Sequence, residues 1–407
     1  MGFPLPTVRN DQRFIVGAVS GGHLLSHFYL LAFPPLFPLL RDELGLSNTE
    51  LGLIVSVMMF PIMVLQLPVG QLVDRIGAQR VFVSGVGITS AATLLAGLSP
   101  GYLALLAAAF VAGVGQSCFH PSDYALLSAV VDAENEGKGF SVHTFGGYAG
   151  FAAAPLVVGG IGVAAGWRTA LLVTGGVGLL YAAFAFVTMG RVYLDHLDGT
   201  ADQSSAGLVS ELRELLSPTL VALFLFFMLL FMAGTGIQSF TTVFLVTGYG
   251  LPESVGNYAL TTFFAFSAVG VLAGGFITDR YDVHWVIVVA LLLAGATTAV
   301  LSTRMLSPVT VVALGTFAVI GAFSGVMRPA RDRLVSTYAP PASSGRSFGF
   351  VFSGGSLGGF ISPVILGFVI DTMSIGLSFL LIAIFFAGSS VIVAAIGFSD
   401  LLRASDG

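Results

Sequence analysis

Ionisable side chains stand at helical spacing inside stretches of this chain that are otherwise apolar. His23 and His27 are one turn apart. Gln116, His120 and Asp123 follow i, i+4, i+7, and Ser324, Arg328 and Arg331 repeat that pattern later in the chain. A charged residue in a lipid-soluble helix is unfavourable by roughly 2.5–3.5 kcal/mol on insertion scales, so these positions are where function is sought first. Imidazole changes charge near neutral pH, which suits His23, His27 and His120 to proton handling, with His143 as a further candidate and Asp123 as an acidic one. Guanidinium stays charged, so Arg328 and Arg331 suit capture of an anionic group. Gln116, Tyr124, Gln66 and Gln238 can hydrogen-bond a substrate or, equally, a neighbouring helix.

The same residues have structural readings. Arg328 and Asp332 are i, i+4 and can neutralise one another along a helix, while Asp123 and Arg331 can pair as a latch between distant parts of the chain. Arg333 is expected to snorkel to an interface. His23 and His27 have metal-ligand spacing, but no cysteine or third imidazole joins them in helical register, so no metal is expected. The single cysteine, Cys118, excludes an intramolecular disulfide framework.

The elements that carry these groups follow from composition. Of 407 residues 56% are hydrophobic and 9% charged, against the roughly 25% charged of a soluble domain. An integral membrane protein is expected. Apolar stretches at 14–40, 49–70, 80–99, 102–131, 139–163, 168–189, 218–246, 254–277, 285–303, 308–337, 346–371 and 376–399 are each long enough to cross a hydrocarbon core of ~30 Å. They lack the strict alternation of barrel strands, so helices are indicated. Arg9, Arg13, Arg75, Arg80, Lys138, Arg191, Arg213, Arg280, Arg346 and Arg403 fall on one side, with Arg41, Arg168 and Arg304 on the other. By the positive-inside rule both termini are cytoplasmic, in a multi-pass protein of a bacterial-type inner membrane. The first apolar run is too long for a signal peptide and is expected to be a mature helix. A net charge of −5 gives no reason to expect nucleic-acid binding.

The chain repeats itself. Phe119-His120-Pro121-Ser122-Asp123 answers Met327-Arg328-Pro329-Ala330-Arg331 about 208 positions on, and Gly146, Gly150 and Pro155 answer Gly354, Gly358 and Pro363. Gly45-Leu46 is echoed by Gly250-Leu251, and Gly70, Asp74 and Arg75 by Gly275, Asp279 and Arg280. Two pseudo-symmetric six-helix halves are therefore expected, 1–189 and 218–407, joined by a cytoplasmic linker, 190–217. In the linker, Leu208, Leu212, Leu215 and Leu216 outline a short amphipathic helix. The 52 glycines suit close helix packing.

Gly70-Gln71-Leu72-Val73-Asp74-Arg75-Ile76-Gly77-Ala78-Gln79-Arg80 resembles the signature loop of the major facilitator superfamily, with a degenerate second copy from Gly275 to Arg280. The resemblance implies an all-α membrane protein of twelve transmembrane helices, with the first, fourth, seventh and tenth lining a central cavity. It also implies gating roles for Gly70, Asp74, Arg75, Arg80, Gly275, Asp279 and Arg280, to which Asp332 is added. Ser26-His27-Phe28, Leu65-Gln66-Leu67-Pro68, Gly115-Gln116-Ser117-Cys118-Phe119-His120-Pro121 and Phe145-Gly146-Gly147 resemble the fosmidomycin-resistance branch. Ala109 stands where drug/proton antiporters carry an arginine, which disfavours that class.

The leading functional expectation is a monomeric, proton-coupled secondary transporter of a small organic anion, amphiphilic if the abundant phenylalanines line its path. Its partners are then the anion, protons and the bilayer. An uncoupled facilitator or multidrug-type exporter stands beside it, as does a membrane receptor or lipid-handling protein on the same bundle. No enzyme is expected, because spacing assembles no nucleophile with its base, and no cofactor is expected, because the glycine-rich runs lack a phosphate loop's lysine.

Overall fold

The computed structural model describes residues 12–131, 136–189, 216–339 and 344–405. These form an all-α bundle in which twelve segments are long and apolar enough to cross a membrane. The first crossing joins α1 (Gln12–Leu30), a 3-10 turn (Pro34–Leu36) and α2 (Phe37–Leu44). Then come α3 (Asn48–Ile76), α4 (Ala78–Gly97), and α5 (Tyr102–Gln116) with α6 (Phe119–Val130) as one crossing. α7 (Glu136–Ala165) and α8 (Trp167–Met189) complete the first six crossings. The later six are α9 (Pro218–Val243) with a π turn (Phe244–Gly248), α10 (Glu253–Thr278), α11 (Val283–Ser302), α12 (Thr310–Tyr338), α13 (Ser344–Thr372) and α14 (Ile375–Ser405). Apart from Leu216 and Ser217, the expected linker and its amphipathic helix fall outside the described residues.

Local sequence explains the punctuation. Pro121 has no N–H to offer the Ser117 carbonyl, and the fourth crossing breaks at Ser117-Cys118. The Ser122 hydroxyl turns back onto the Cys118 carbonyl at 2.6 Å. Pro329, its counterpart in the repeat, sits inside an unbroken α12. The repeated Gly45 and Gly250 share a left-handed backbone, φ 67° and 66°, which glycine adopts without penalty. Gly77 does the same at φ 90° and alone separates α3 from α4, so most of the signature stretch is helix, where a loop was expected. Ser217 caps α9 ahead of Pro218.

By packing, the chain forms two units. One contains the residues up to Ala32 with those from Phe60, and the other contains Phe33–Met59 with the later helices. The expected halves thus differ from the packed units in Phe33–Met59.

In the first unit, glycines bring α7 onto α1. An added Cβ at Gly146 would lie 2.6 Å from the Ser20 carbonyl oxygen, and one at Gly150 would lie 2.1 Å from that of Leu24. Phe82, Phe119, Leu127 and Ala185 fill the core that α1 and α6 share with α4 and α8.

The second unit repeats the device. A Cβ at Gly354 would lie 2.3 Å from the Phe224 oxygen and one at Gly358 2.2 Å from that of Met228, seating α13 on α9. By contrast, a Cβ at Gly70 or Gly275 would meet nothing within 4 Å.

Phe33–Met59 belongs to the second unit for a definite reason. Ser47 and Glu50 form a capping box at the start of α3, the Ser47 N–H donating to Glu50 at 2.8 Å and the Glu50 N–H to the Ser47 hydroxyl at 3.2 Å. The next two donors, the N–H groups of Asn48 and Thr49, go to the Asp371 carboxylate from the end of α13, at 3.0 and 2.8 Å. The Asn48 amide and Thr49 hydroxyl add bonds of 2.7 Å each to the same carboxylate. Asp371 is therefore a helix cap supplied from a distant part of the chain.

Two outcomes are expected. Asp371→Ala should lower stability by about 1–2 kcal/mol, the scale of a lost N-cap, read as thermal unfolding in detergent. Gly150→Ala should lower it by about 1–3 kcal/mol through overpacking, whereas Gly160→Ala on the same helix, with open space around it, should be neutral or stabilising.

Candidate functional site

Three helices of the first unit converge on Asp123. The residue is fully buried in α6, and its Oδ2 lies 3.1 Å from His23 Nδ1 on α1 and 3.8 Å from His143 Nε2 on α7. The His23 and His143 rings stack with centroids 3.8 Å apart and planes 24° from parallel. His27 packs 4.3 Å from His23, ring to ring, and His120 5.5 Å from it. Asp123 and His143 are thus bound into one cluster with the helical pair His23 and His27.

A turn away, Gln116 and Ser26 close a reciprocal pair. The Ser26 hydroxyl donates to Gln116 Oε1 at 2.9 Å and the Gln116 amide to the Ser26 carbonyl at 2.7 Å. Gln116 and Asp123 therefore both face α1, as their spacing implied, even though the helix breaks between them. Gln116 is engaged in exchange between helices, the structural reading of an intramembrane amide. Gly147 completes the wall, since a Cβ there would lie 2.7 Å from His27 Nδ1 and 2.8 Å from His23 Nε2. Tyr124, half exposed, stacks on Phe140 and lies 6.1 Å from the His120 ring.

A buried carboxylate needs compensation, and here it comes from imidazole. Among the described residues no lysine or arginine pairs with Asp123. Its Oδ1, both ring nitrogens of His143 and Nδ1 of His120 are buried without a hydrogen-bond partner. The cluster therefore combines acid and base groups within bonding reach, with capacity for a further ligand.

The arginines lie in the second unit. Arg331 is buried and its guanidinium forks onto Asp332, Nε at 2.9 Å and Nη2 at 2.7 Å. Its charge also lies over Phe227 at 5.1 Å and Phe352 at 5.7 Å, cation–π contacts that hold it in place. Asp332 pairs with its neighbour in sequence, where the helical spacing offered Arg328. Arg328 is half-buried one turn earlier on α12. Arg333 reaches the Thr278 carbonyl at 3.1 Å.

The remaining positions are dispersed. Gln66 and Gln238, on α3 and α9, are half-buried. Asp74, Arg75 and Arg80 lie around the end of α3 and the start of α4, and Asp279 and Arg280 follow α10. The sequence reading missed Asp371 and the partnership of Ser26 with Gln116. Asp371 stands 323 positions from Asn48 in the chain, so no local pattern pointed to it.

The family model of the Major Facilitator Superfamily matches residues 19–258 and 244–401. The fosmidomycin resistance protein of Escherichia coli K12 is 26% identical, over 89% of this chain and 88% of its own length. A probable sulfoacetate transporter of Cupriavidus necator is 26% identical over 36% of this chain and 34% of its own length. Among solved structures, a bacterial homologue of the human lysosomal transporter Spinster superposes with a TM-score of 0.80 at 17% identity, covering 94% of this chain and 96% of that one.

If Asp123 and the histidines compensate one another, His23→Ala should destabilise the chain by roughly 3–5 kcal/mol, the effect of breaking a buried pair. The double variant His23→Ala/Asp123→Asn should then be less impaired than the sum of its parts in thermal unfolding. Strict additivity would mean the two groups do not interact.

Proposed function

The chain belongs to the Major Facilitator Superfamily, and on that premise we propose that it is a proton-coupled secondary transporter of a small organic anion, working by alternating access. Its membrane is the bacterial inner membrane, with both termini cytoplasmic. The observation that carries the coupling is the buried Asp123 with His23 at 3.1 Å and His143 at 3.8 Å inside membrane-crossing helices. A carboxylate compensated only by imidazoles can gain or lose a proton without breaking a permanent ion pair. A carboxylate held by arginine is fixed in its charged form.

His23 and Asp123 share the proton, His143 extends the pair, and His27 and His120 relay protons along α1 and α6. Arg328, with Arg331, supplies the charge for the anion. Gln66, Gln238 and Tyr124 add polar contacts. The relative named for sulfoacetate, an anion, supports that substrate class. Gly70, Asp74, Arg75, Arg80, Gly275, Asp279 and Arg280, with Asp332, serve the gating motion.

The test is uptake of sulfonates, phosphonates and carboxylates into proteoliposomes with and without an imposed pH gradient. Acceleration by the gradient is expected. Asp123→Asn should retain flux but lose its dependence on the gradient, and Arg328→Ala should raise KM about tenfold or more, as for a lost charge-assisted hydrogen bond of about 1.5–3 kcal/mol. Flux indifferent to the gradient in the unaltered protein would make it an uncoupled facilitator.

A further inference from the structure

We propose that His23, Asp123 and His143 form a binding site for a divalent d-block cation such as Zn2+ or Co2+ in the first unit. The three ligating atoms lie within 4.8 Å of one another, and two of the separations are 3.1 and 3.8 Å. Tetrahedral zinc, with bonds of about 2.0–2.2 Å, sets its donor atoms roughly 3.3–3.5 Å apart. Two edges already bracket that spacing, and the third, between the two imidazoles, lies within 4.8 Å.

Satisfaction of polar atoms points the same way. Asp123 is 0% exposed and His143 2% exposed, yet Asp123 Oδ1 and both His143 ring nitrogens have no hydrogen-bond partner. Buried polar atoms are normally partnered, and a cation drawing on one carboxylate and two imidazole lone pairs would engage this group. Three protein donors leave the fourth position of a tetrahedral ion for a water or a substrate atom, and His120, its ring 5.5 Å from that of His23, lies just outside the group.

Donor chemistry selects the class of ion. Imidazole with a single carboxylate suits zinc, cobalt and nickel, whereas magnesium and calcium take shells of oxygen. The donors come from three helices, and the contacts at Gly146 and Gly150 that seat α7 on α1 hold them together. The site stands on this geometry alone and does not depend on the transport reading. If both hold, cation and proton compete for the same lone pairs.

The experiment is titration of the tag-free, chelator-stripped full chain in detergent with ZnCl2 by calorimetry and with CoCl2 by visible absorption. One ion per chain and the absorption of a four-coordinate cobalt centre are expected, with no response to MgCl2. His23→Ala, His143→Ala and Asp123→Asn should each weaken zinc binding by about 100-fold or more, because even outer partners of metal ligands are worth about 10–100-fold. Gly147→Ala keeps every ligand but crowds the His23 and His27 rings, and should weaken binding about 10-fold or more even if a ligand variant fails to fold. His284→Ala, on α11, should leave it unchanged. Zinc binding that survives the ligand variants, that is lost in His284→Ala, that magnesium matches, or that is absent would overturn the site. Proton-driven uptake in chelator-washed proteoliposomes reads the transport proposal separately, so failure of one leaves the other standing.

Discussion

A carboxylate held in a helix that crosses the membrane must find compensation within the protein, because hydrocarbon offers none. Asp123 meets that constraint with two histidines brought from α1 and α7. Three helices must therefore approach at one level, and the glycines of α7 make this possible by letting its backbone lie against the carbonyls of Ser20 and Leu24. The cluster and the packing of the first unit are one requirement seen from two sides. A bulkier residue at the glycines would separate the helices, and a helix pulled away would strand the carboxylate.

The duplicated architecture makes the contrast between the units informative. The contact of α13 with α9 repeats that of α7 with α1 almost atom for atom, but the histidine cluster is not copied. In its place stands a guanidinium neutralised by Asp332 and covered by Phe227 and Phe352. At these matching positions the second unit thus places a guanidinium where the first places a carboxylate among imidazoles.

Asp371 shows how the same physics acts at a helix end. The first N–H groups of α3 have no partner within the helix, and the capping box satisfies only some of them. A carboxylate from α13 takes the rest, drawing Phe33–Met59 into the second unit. The bonds are partly exposed and few, the kind that open at lower free energy than the buried core.

Much of the architecture was legible in the residue order. Apolar runs longer than a bilayer core, the echo of Gly45 in Gly250 and the repeated glycine register each report on contacts local in sequence or imposed by the lipid. The helical spacing of Gln116 and Asp123 likewise told that they face one way. What faces them was not legible. His143 comes from another helix, so its place beside His23 and Asp123 could not be read from the register of His23 and His27. Asp332 turning to Arg331 rather than Arg328, and Asp371 capping α3, are further cases. Helical periodicity fixes the direction a side chain leaves its own helix. The partner it meets is set by how closely and at what level the other helices cross, and that is decided only when the whole bundle packs.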